Sequence, residues 1–158
     1  MLFVTFEVGD DRCALEARRV VEVLPFVELS RGPAAPEAVA GFFRYRGRLV
    51  PAVDLCQLLL GRPARAHFST RLLVVRCRDV TGAEHLVGLI AERATGLMQR
   101  APRDFSHPGG VLPDRPCRGP MASDGQGMVQ WLDPEHLLPE AVRSALCGPP
   151  ALPADDTR

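Results

Sequence analysis

Apolar and polar positions alternate from the first residues of the chain. Leu2, Val4, Phe6 and Val8 are separated by Phe3, Thr5 and Glu7, a pattern near period two that predicts a half-buried strand. Gly9-Asp10-Asp11 turns the chain and Cys13-Ala14-Leu15 returns it, so a hairpin is expected. Residues 16–21 fit a short helix, residues 22–29 an apolar extended run broken at Pro25, and residues 31–36 a loop. Arg46-Gly47-Arg48 reads as a turn. Leu49, Val50, Ala52 and Val53 read as a strand in which Pro51 marks an edge or irregular pairing. Asp54 can N-cap a short helix over 55–60, which Gly61 stops and Pro63 keeps from resuming. A loop follows over 62–69.

Residues 71–76, RLLVVR, place four consecutive apolar residues between arginines, the pattern of a strand buried on both faces. Residues 79–84 make a polar turn, 85–91 the answering strand, and 94–99 a further strand. Residues 101–127 hold five Pro and five Gly and read as one long irregular segment, of the kind that is functional or mobile. The last strand is expected over 127–132. Asp133 then caps a turn with Pro134 at its first position, and Pro139 begins a second turn reaching to about 146. Many short strands with small helical turns predict a mostly-β chain, as small barrels or as a sandwich.

Composition narrows the function. At 158 residues and 46% hydrophobic content the chain can bury one ordinary domain, or two small lobes sharing a core. Its net charge is zero and only 6% of its residues are aromatic, which speaks against a nucleic-acid binder. The opening has neither a basic leader nor a long apolar run, so no signal peptide and no membrane span is expected. Five cysteines, Cys13, Cys56, Cys77, Cys117 and Cys147, occur without a C-x-x-C, as expected for free thiols in a reducing cytoplasm. Cys13 and Cys56 lie in apolar surroundings and read as packing residues.

Catalytic patterns are missing. There is no G-x-S-x-G, P-loop, H-E-x-x-H or G-x-G-x-x-G. The four histidines, His67, His85, His107 and His136, are scattered. His85 reads as a solvated hairpin position. It could meet Cys77 across that hairpin, but two ligands make no zinc site. Asp124-Gly125-Gln126-Gly127 lacks the ligands of a calcium loop and reads as a turn. An enzyme with a cysteine nucleophile would need a thiol of depressed pKa, which no spacing here suggests. The expectation is a non-enzyme with no metal and no cofactor.

The stretch 41–61, GFFRYRGRLVPAVDLCQLLLG, resembles the signature segment of CheW-like domains, the scaffold proteins of bacterial chemosensory arrays. Val50-Pro51-x-x-Asp54-Leu55 matches the family's Val-Pro-x-x-Asp-Leu. Arg44-Tyr45-Arg46-Gly47 stands in its Asn-Leu-Arg-Gly slot. The opening hairpin, Ala14-Leu15 and Val20-x-Glu22-Val23 resemble the family's first lobe, and Val87-Gly88-Leu89-Ile90 resembles its Val-Gly-x-x-Val-Asp strand. Leu132-Asp133-Pro134-x-x-x-Leu138 is similar to its closing element. Three departures stand out. Arg44 and Tyr45 replace Asn and Leu, and Ala91-Glu92-Arg93-Ala94 replaces the second lobe's Val-Asp-x-Val. The loop running through Cys117 to Met121 and Asp124 to Gly127 is more similar to accessory couplers of Wsp-type surface-sensing systems.

The resemblance implies a mostly-β fold of two SH3-like five-stranded barrels sharing a hydrophobic core, with short helices. The domain would cover 1–143, with 144–158 a disordered tail. It also implies a cytoplasmic adaptor, recruited to receptor arrays, that couples a methyl-accepting chemoreceptor's cytoplasmic tip to the regulatory domain of a CheA-type histidine kinase. The output would be cyclic-di-GMP in a Wsp-type pathway, or else flagellar or pilus motility. By motif, Val20, Glu22, Gly41, Arg46 and Gly47 fall where the family binds receptor or shapes the groove between the lobes. Phe42 and Phe105 are candidate kinase contacts. Each has a plainer reading: Val20 as core, Gly41 as a close backbone approach, Arg46 as a clamp between the lobes.

Overall fold

The structure, a computed structural model, describes residues 1–30, 37–107, 119–123 and 125–147. The opening hairpin forms as expected, from β1 (Leu2–Val8) and β2 (Asp11–Glu16). A 3-10 turn, Ala17–Arg19, replaces the longer helical turn expected over 16–21, because β3 (Val20–Pro25) already begins at Val20, where a β-branched run favours extension. The next strands are β4 (Val39–Tyr45) and β5 (Arg48–Asp54). Helix α1 (Leu55–Leu60) is capped as predicted: Asp54 Oδ1 accepts from the amides of Cys56 at 2.9 Å and Gln57 at 3.2 Å, and Gly61 ends the helix at φ 74°. The other Asp54 oxygen accepts from Ala64 N at 2.9 Å, which folds the following loop back.

Strand β6 (Arg71–Arg78) precedes β7 (Glu84–Gln99). Where two strands are expected over 85–91 and 94–99, β7 is one strand of 16 residues. Arg93 at φ 49° kinks it at mid-length, and its pairing with β1 shifts register there without breaking. The segment over 101–127 is not wholly irregular. It contains a 3-10 turn at Pro102–Asp104 and a short strand β8 (Met121–Ser123), while 108–118 and 124 lie outside the described residues. Strand β9 (Met128–Trp131), α2 (Pro134–Leu137) and α3 (Glu140–Cys147) complete the chain. Asp133 caps α2 through Glu135 N at 3.0 Å. Helix α3 runs past the boundary expected at 143, and the rest of the expected tail, 148–158, lies outside the described residues.

Two five-stranded barrels result. In the first the order is β3-β6-β7-β5-β4, closed by paired bonds between Ser30 and Phe42. In the second it is β7-β1-β2-β9-β8, closed between Ser106 and Met121. Strand β7 belongs to both. Glu84–Ala91 pairs with β6, and Glu92–Gln99 pairs with β1. The opening hairpin therefore shares a barrel with the end of the chain and not with β3. The expectation that the hairpin and Val20-x-Glu22-Val23 form one lobe is corrected, because β7 carries the chain back to β1.

Strand alternation sorts the apolar residues into three cores. Phe43, Tyr45, Val50, Leu72, Val74 and Ile90 fill the first barrel, and Phe3, Ala14, Met98, Phe105 and Val129 fill the second. Val4, Phe6, Val8, Leu73, Val75, Val87 and Leu89 pack between them, with Leu132, Leu137, Leu138 and Val142 covering. Residues 72–75 are fully buried and alternate between the first barrel and the shared core, which accounts for the continuous apolar run.

Gly88 lies at a close approach inside the first barrel. A Cβ there would lie 2.5 Å from Phe43 Cε1 and 3.0 Å from Leu72 Cδ1. Gly88→Ala is expected to cost about 1–3 kcal/mol through overpacking. The check is a urea midpoint that falls at unchanged slope and partly recovers when Phe43→Leu is added. An unchanged midpoint would refute the close packing.

Candidate functional site

The β4–β5 hairpin builds the densest cluster of expected site residues. Tyr45 pairs with Arg48, so the two residues between them make the turn, with Arg46 at φ 48° and Gly47 at φ 77°. Positive φ at both central positions matches the twist of an antiparallel pair. Glycine adopts it freely, whereas Arg46 is held there at some cost. Tyr45 buries its ring in the first barrel and donates its hydroxyl to Glu22 Oε1 at 2.6 Å. The Arg46 guanidinium lies 5.1 Å from the Tyr45 ring centroid and donates to the same Glu22 oxygen at 3.4 Å. The bond to Glu22 raises the Tyr45 pKa above its ordinary value. Arg46 and Glu22 side chains are 72% and 41% exposed, so their ion pair orients more than it stabilises. Its partner lies within the same barrel. That is where the structure places Arg46, rather than across the two lobes.

The other expected residues are dispersed. Val20 is half-buried, pairs with Val75 and packs against the shared core. At Gly41 a Cβ would lie 2.8 Å from Leu29 Cβ and 2.9 Å from the Ser30 carbonyl, so the glycine allows the approach that closes the first barrel. Phe43 points into that barrel, and Phe42, on the opposite face, is half-buried. Phe105 is 8% exposed and packs with Phe3 and Trp131 at centroid distances of 5.2 and 5.1 Å, inside the second barrel. Its ring is occupied by that core.

A groove of about 960 Å³, lined by Thr5, Glu7, Phe26, Phe68 and Arg93 among others, holds none of these seven residues. Phe68 is fully exposed on a loop organised from within. Thr70 donates to the Arg65 carbonyl and Arg71 to that of Phe68, while Thr70 N reaches His67 O at 3.0 Å. Sequence reasoning missed this feature. Its only signal was an aromatic residue in a polar loop.

Polar clamps fix how the elements meet. Glu92, 6% exposed at the midpoint of β7, accepts from Arg65 N at 2.7 Å and from Arg62 at 3.3 and 3.4 Å. Burial pushes its carboxyl up, but Arg62 and the Arg65 amide outweigh this and hold it below the usual range. The longer carboxylate in this motif position thus reaches a loop arginine. Glu135 of α2 accepts from Arg19 at 2.5 Å and from Arg78 N at 2.9 Å. Burial opposes its charge too, and Arg19 prevails, so its pKa is lowered. Arg143 of α3 donates to the carbonyls of Arg78 and Asp79. His85 is not the solvated position expected. Its Nε2 lies 2.5 Å from Asp79 Oδ2, and the other Asp79 oxygen accepts from Thr81 N, Thr81 Oγ1 and Ala83 N to close the β6–β7 turn.

Burial pushes the thiols of Cys13 and Cys77 up to about 12 and that of Cys56 to about 11, so all three are protonated at neutral pH. Among the described residues no group of three or more His, Cys, Asp and Glu could hold a metal ion, and no helix is long and apolar enough to cross a membrane.

Comparison with known proteins agrees with this frame. The CheW-like domain family matches residues 2–142. Protein FrzA of Myxococcus xanthus is 31% identical over 147 residues, covering 91% of this chain and 89% of that protein. Chemotaxis protein CheW of Helicobacter pylori (strain ATCC 700392 / 26695) is 31% identical over 94 residues, covering 59% of this chain and 53% of its own length. The crystal structure of scaffolding protein TtCheW from Thermoanaerobacter tengcongensis superposes with a TM-score of 0.74 over 87% of each chain at 19% identity, a likeness of fold.

The lowered carboxylates predict an acid limb of stability. A group whose pKa is lower folded than unfolded contributes fully above its unfolded value, and the contribution is lost as pH falls through its folded value. Glu92→Gln and Glu135→Gln are each expected to destabilise the protein at pH 7 and to approach wild type as the pH falls below the usual carboxylate range. Urea unfolding of each variant against pH checks this. A deficit that does not shrink in acid would contradict it.

Proposed function

The chain belongs to the CheW-like domain family, and from that premise we propose that it is a non-enzymatic coupling protein of chemotaxis-type signalling. It holds the cytoplasmic tip of a methyl-accepting receptor and the regulatory domain of a CheA-type histidine kinase in fixed relation. The observation that carries this reading is the family match over residues 2–142, set on a two-barrel frame whose β4–β5 hairpin presents Arg46 beside Glu22. Such a protein needs no reacting group, because two partners held on one rigid body meet at high effective concentration. The protonated thiols of Cys13, Cys56 and Cys77 are in keeping with this. A receptor bound here can change kinase output only through contacts that differ between its signalling states.

Glu22, Arg46 and Gly47 form the receptor-facing end in this proposal, with Val20 and Gly41 supporting it from the shared core and the barrel closure. Phe42 is the better placed of the two kinase candidates, since Phe105 is enclosed. The protein works in the cytoplasm, recruited to receptor arrays. Its output is cyclic-di-GMP through a Wsp-type pathway, with control of flagellar or pilus motility as the alternative.

Binding of the purified protein to a receptor cytoplasmic fragment and to the kinase regulatory domain, both from the same genome, tests the proposal. Arg46→Ala and Glu22→Ala are expected to weaken receptor binding several-fold and to leave kinase binding intact. Val20→Asp places a carboxylate against the shared core, so its thermal midpoint has to be read beside its binding. A folded protein that binds neither fragment would overturn the coupling role.

A further inference from the structure

The charge at one end of the first barrel points to the chemistry of its partner. Tyr45 and Val74 face the barrel interior, and Glu22 pairs with Val74. Arg48 stands opposite Tyr45 and two positions before inward-facing Val50. Arg76 stands two positions after Val74 and opposite Leu86, which packs half-buried against the same interior. Alternation therefore brings Arg48 and Arg76 to the same barrel end as Glu22 and Arg46. That end carries Arg46, Arg48 and Arg76 with Glu22, whose carboxylate already accepts from Tyr45 and Arg46. Arg76 donates to the Arg18 carbonyl at 3.1 Å, and among the described residues Arg48 has no ion-pair partner. The next cross-strand pair outward, Arg78 and Glu84, is balanced. The excess positive charge is thus local to the mouth of a chain whose net charge is zero.

We propose that this barrel end recognises an acidic segment of the receptor's cytoplasmic tip, with Arg48 and Arg76 binding its carboxylates while Glu22 and Tyr45 hold Arg46 in place. The assignment to the receptor rests on the coupling role; the carboxylate chemistry does not. Planar guanidinium forks pair with carboxylates in two-point geometry. The half-buried Leu86 offers apolar contact beside the charges, as a protein segment requires. A membrane surface fits poorly. Electrostatic attachment to anionic lipid takes clusters of about 4–8 basic residues, and Glu22 sits within this one.

The first arm of the test needs no receptor. Labelled protein is titrated with a Glu-Glu-Leu-Glu-Glu peptide and with its Gln counterpart, while the arginine Nε–Hε signals are followed by NMR. The glutamate peptide is expected to shift Arg48 and Arg76 selectively, and Arg48→Gln or Arg76→Gln to remove the response. Equal shifts with both peptides, or none, would overturn the proposal. In the second arm Arg48→Glu and Arg76→Glu are expected to weaken receptor-fragment binding about ten-fold or more at low salt, less at high salt, and to spare the kinase domain. Receptor binding that ignores both reversals overturns the acidic segment while the coupling role stands. A response to the glutamate peptide with no binding of either fragment removes the coupling role and keeps the carboxylate chemistry. Binding to phosphatidylserine-rich vesicles that both reversals abolish would make a membrane the occupant and overturn the proposal.

Discussion

The structure depends on one continuous strand packed over one shared apolar layer. Strand β7 gives its first half to one barrel and its second to the other, so the relative position of the barrels is set by backbone hydrogen bonds. The layer between them then makes separation costly. Val4, Phe6 and Val8 of β1 meet Leu73 and Val75 of β6 and Val87 and Leu89 of β7 in a single core. Each such side chain is worth about 1.5–3 kcal/mol when fully buried, so pulling the barrels apart would expose several of these at once. The exterior of each barrel is the interior of the pair, and neither is complete without the other.

This arrangement explains what could be read from the chain and what could not. Residues 71–76 and the opening hairpin were legible because alternation and a continuous apolar run report burial directly. The capped helix α1 was legible because Asp54 and Gly61 carry their own geometry. The continuity of β7 was not. Glu92 and Arg93 interrupt its apolar pattern and divide it into two expected strands, yet Arg93 takes up φ 49° while Glu92 finds Arg62 and the Arg65 amide, partners about thirty positions away in the chain. Short-range pattern carries no information about such partners. The same blindness made His85 look solvated when Asp79, across the turn, engages it. Among the candidate site residues, Arg46-Gly47 was visible as a turn and by motif, while the interior place of Phe105 depends on Phe3 and Trp131, distant in sequence.

Rigidity has a direct bearing on the proposed role. A coupling protein transmits a change only if its own deformation does not absorb it. Here the C-terminal helices reinforce the pair. Glu135 ties Arg19 to the β6 backbone, Arg143 caps two carbonyls at the end of β6, and Val142 closes the shared core. These polar links use groups that burial alone would leave costly. They add orientation to a contact whose energy is mainly apolar.

The β4–β5 hairpin shows how such a frame can carry recognition. Its turn is bound to its register, since Tyr45 pairs with Arg48 and leaves only Arg46 and Gly47 to make the reversal. Tyr45 cannot move without withdrawing its ring from the first barrel's core, and its hydroxyl holds Glu22. Glu22 in turn holds Arg46. The position of a largely exposed charge is thereby referred, through a phenol and a carboxylate, to the packing inside the barrel. An exposed arginine would otherwise sample many rotamers and lose them on binding, at about 0.5–1.5 kcal/mol for such a side chain. Part of that ordering is already done in the free protein. Replacing the family's Leu by Tyr45 supplies the hydroxyl that makes this linkage possible, so the departure from the family pattern has a physical consequence at the hairpin.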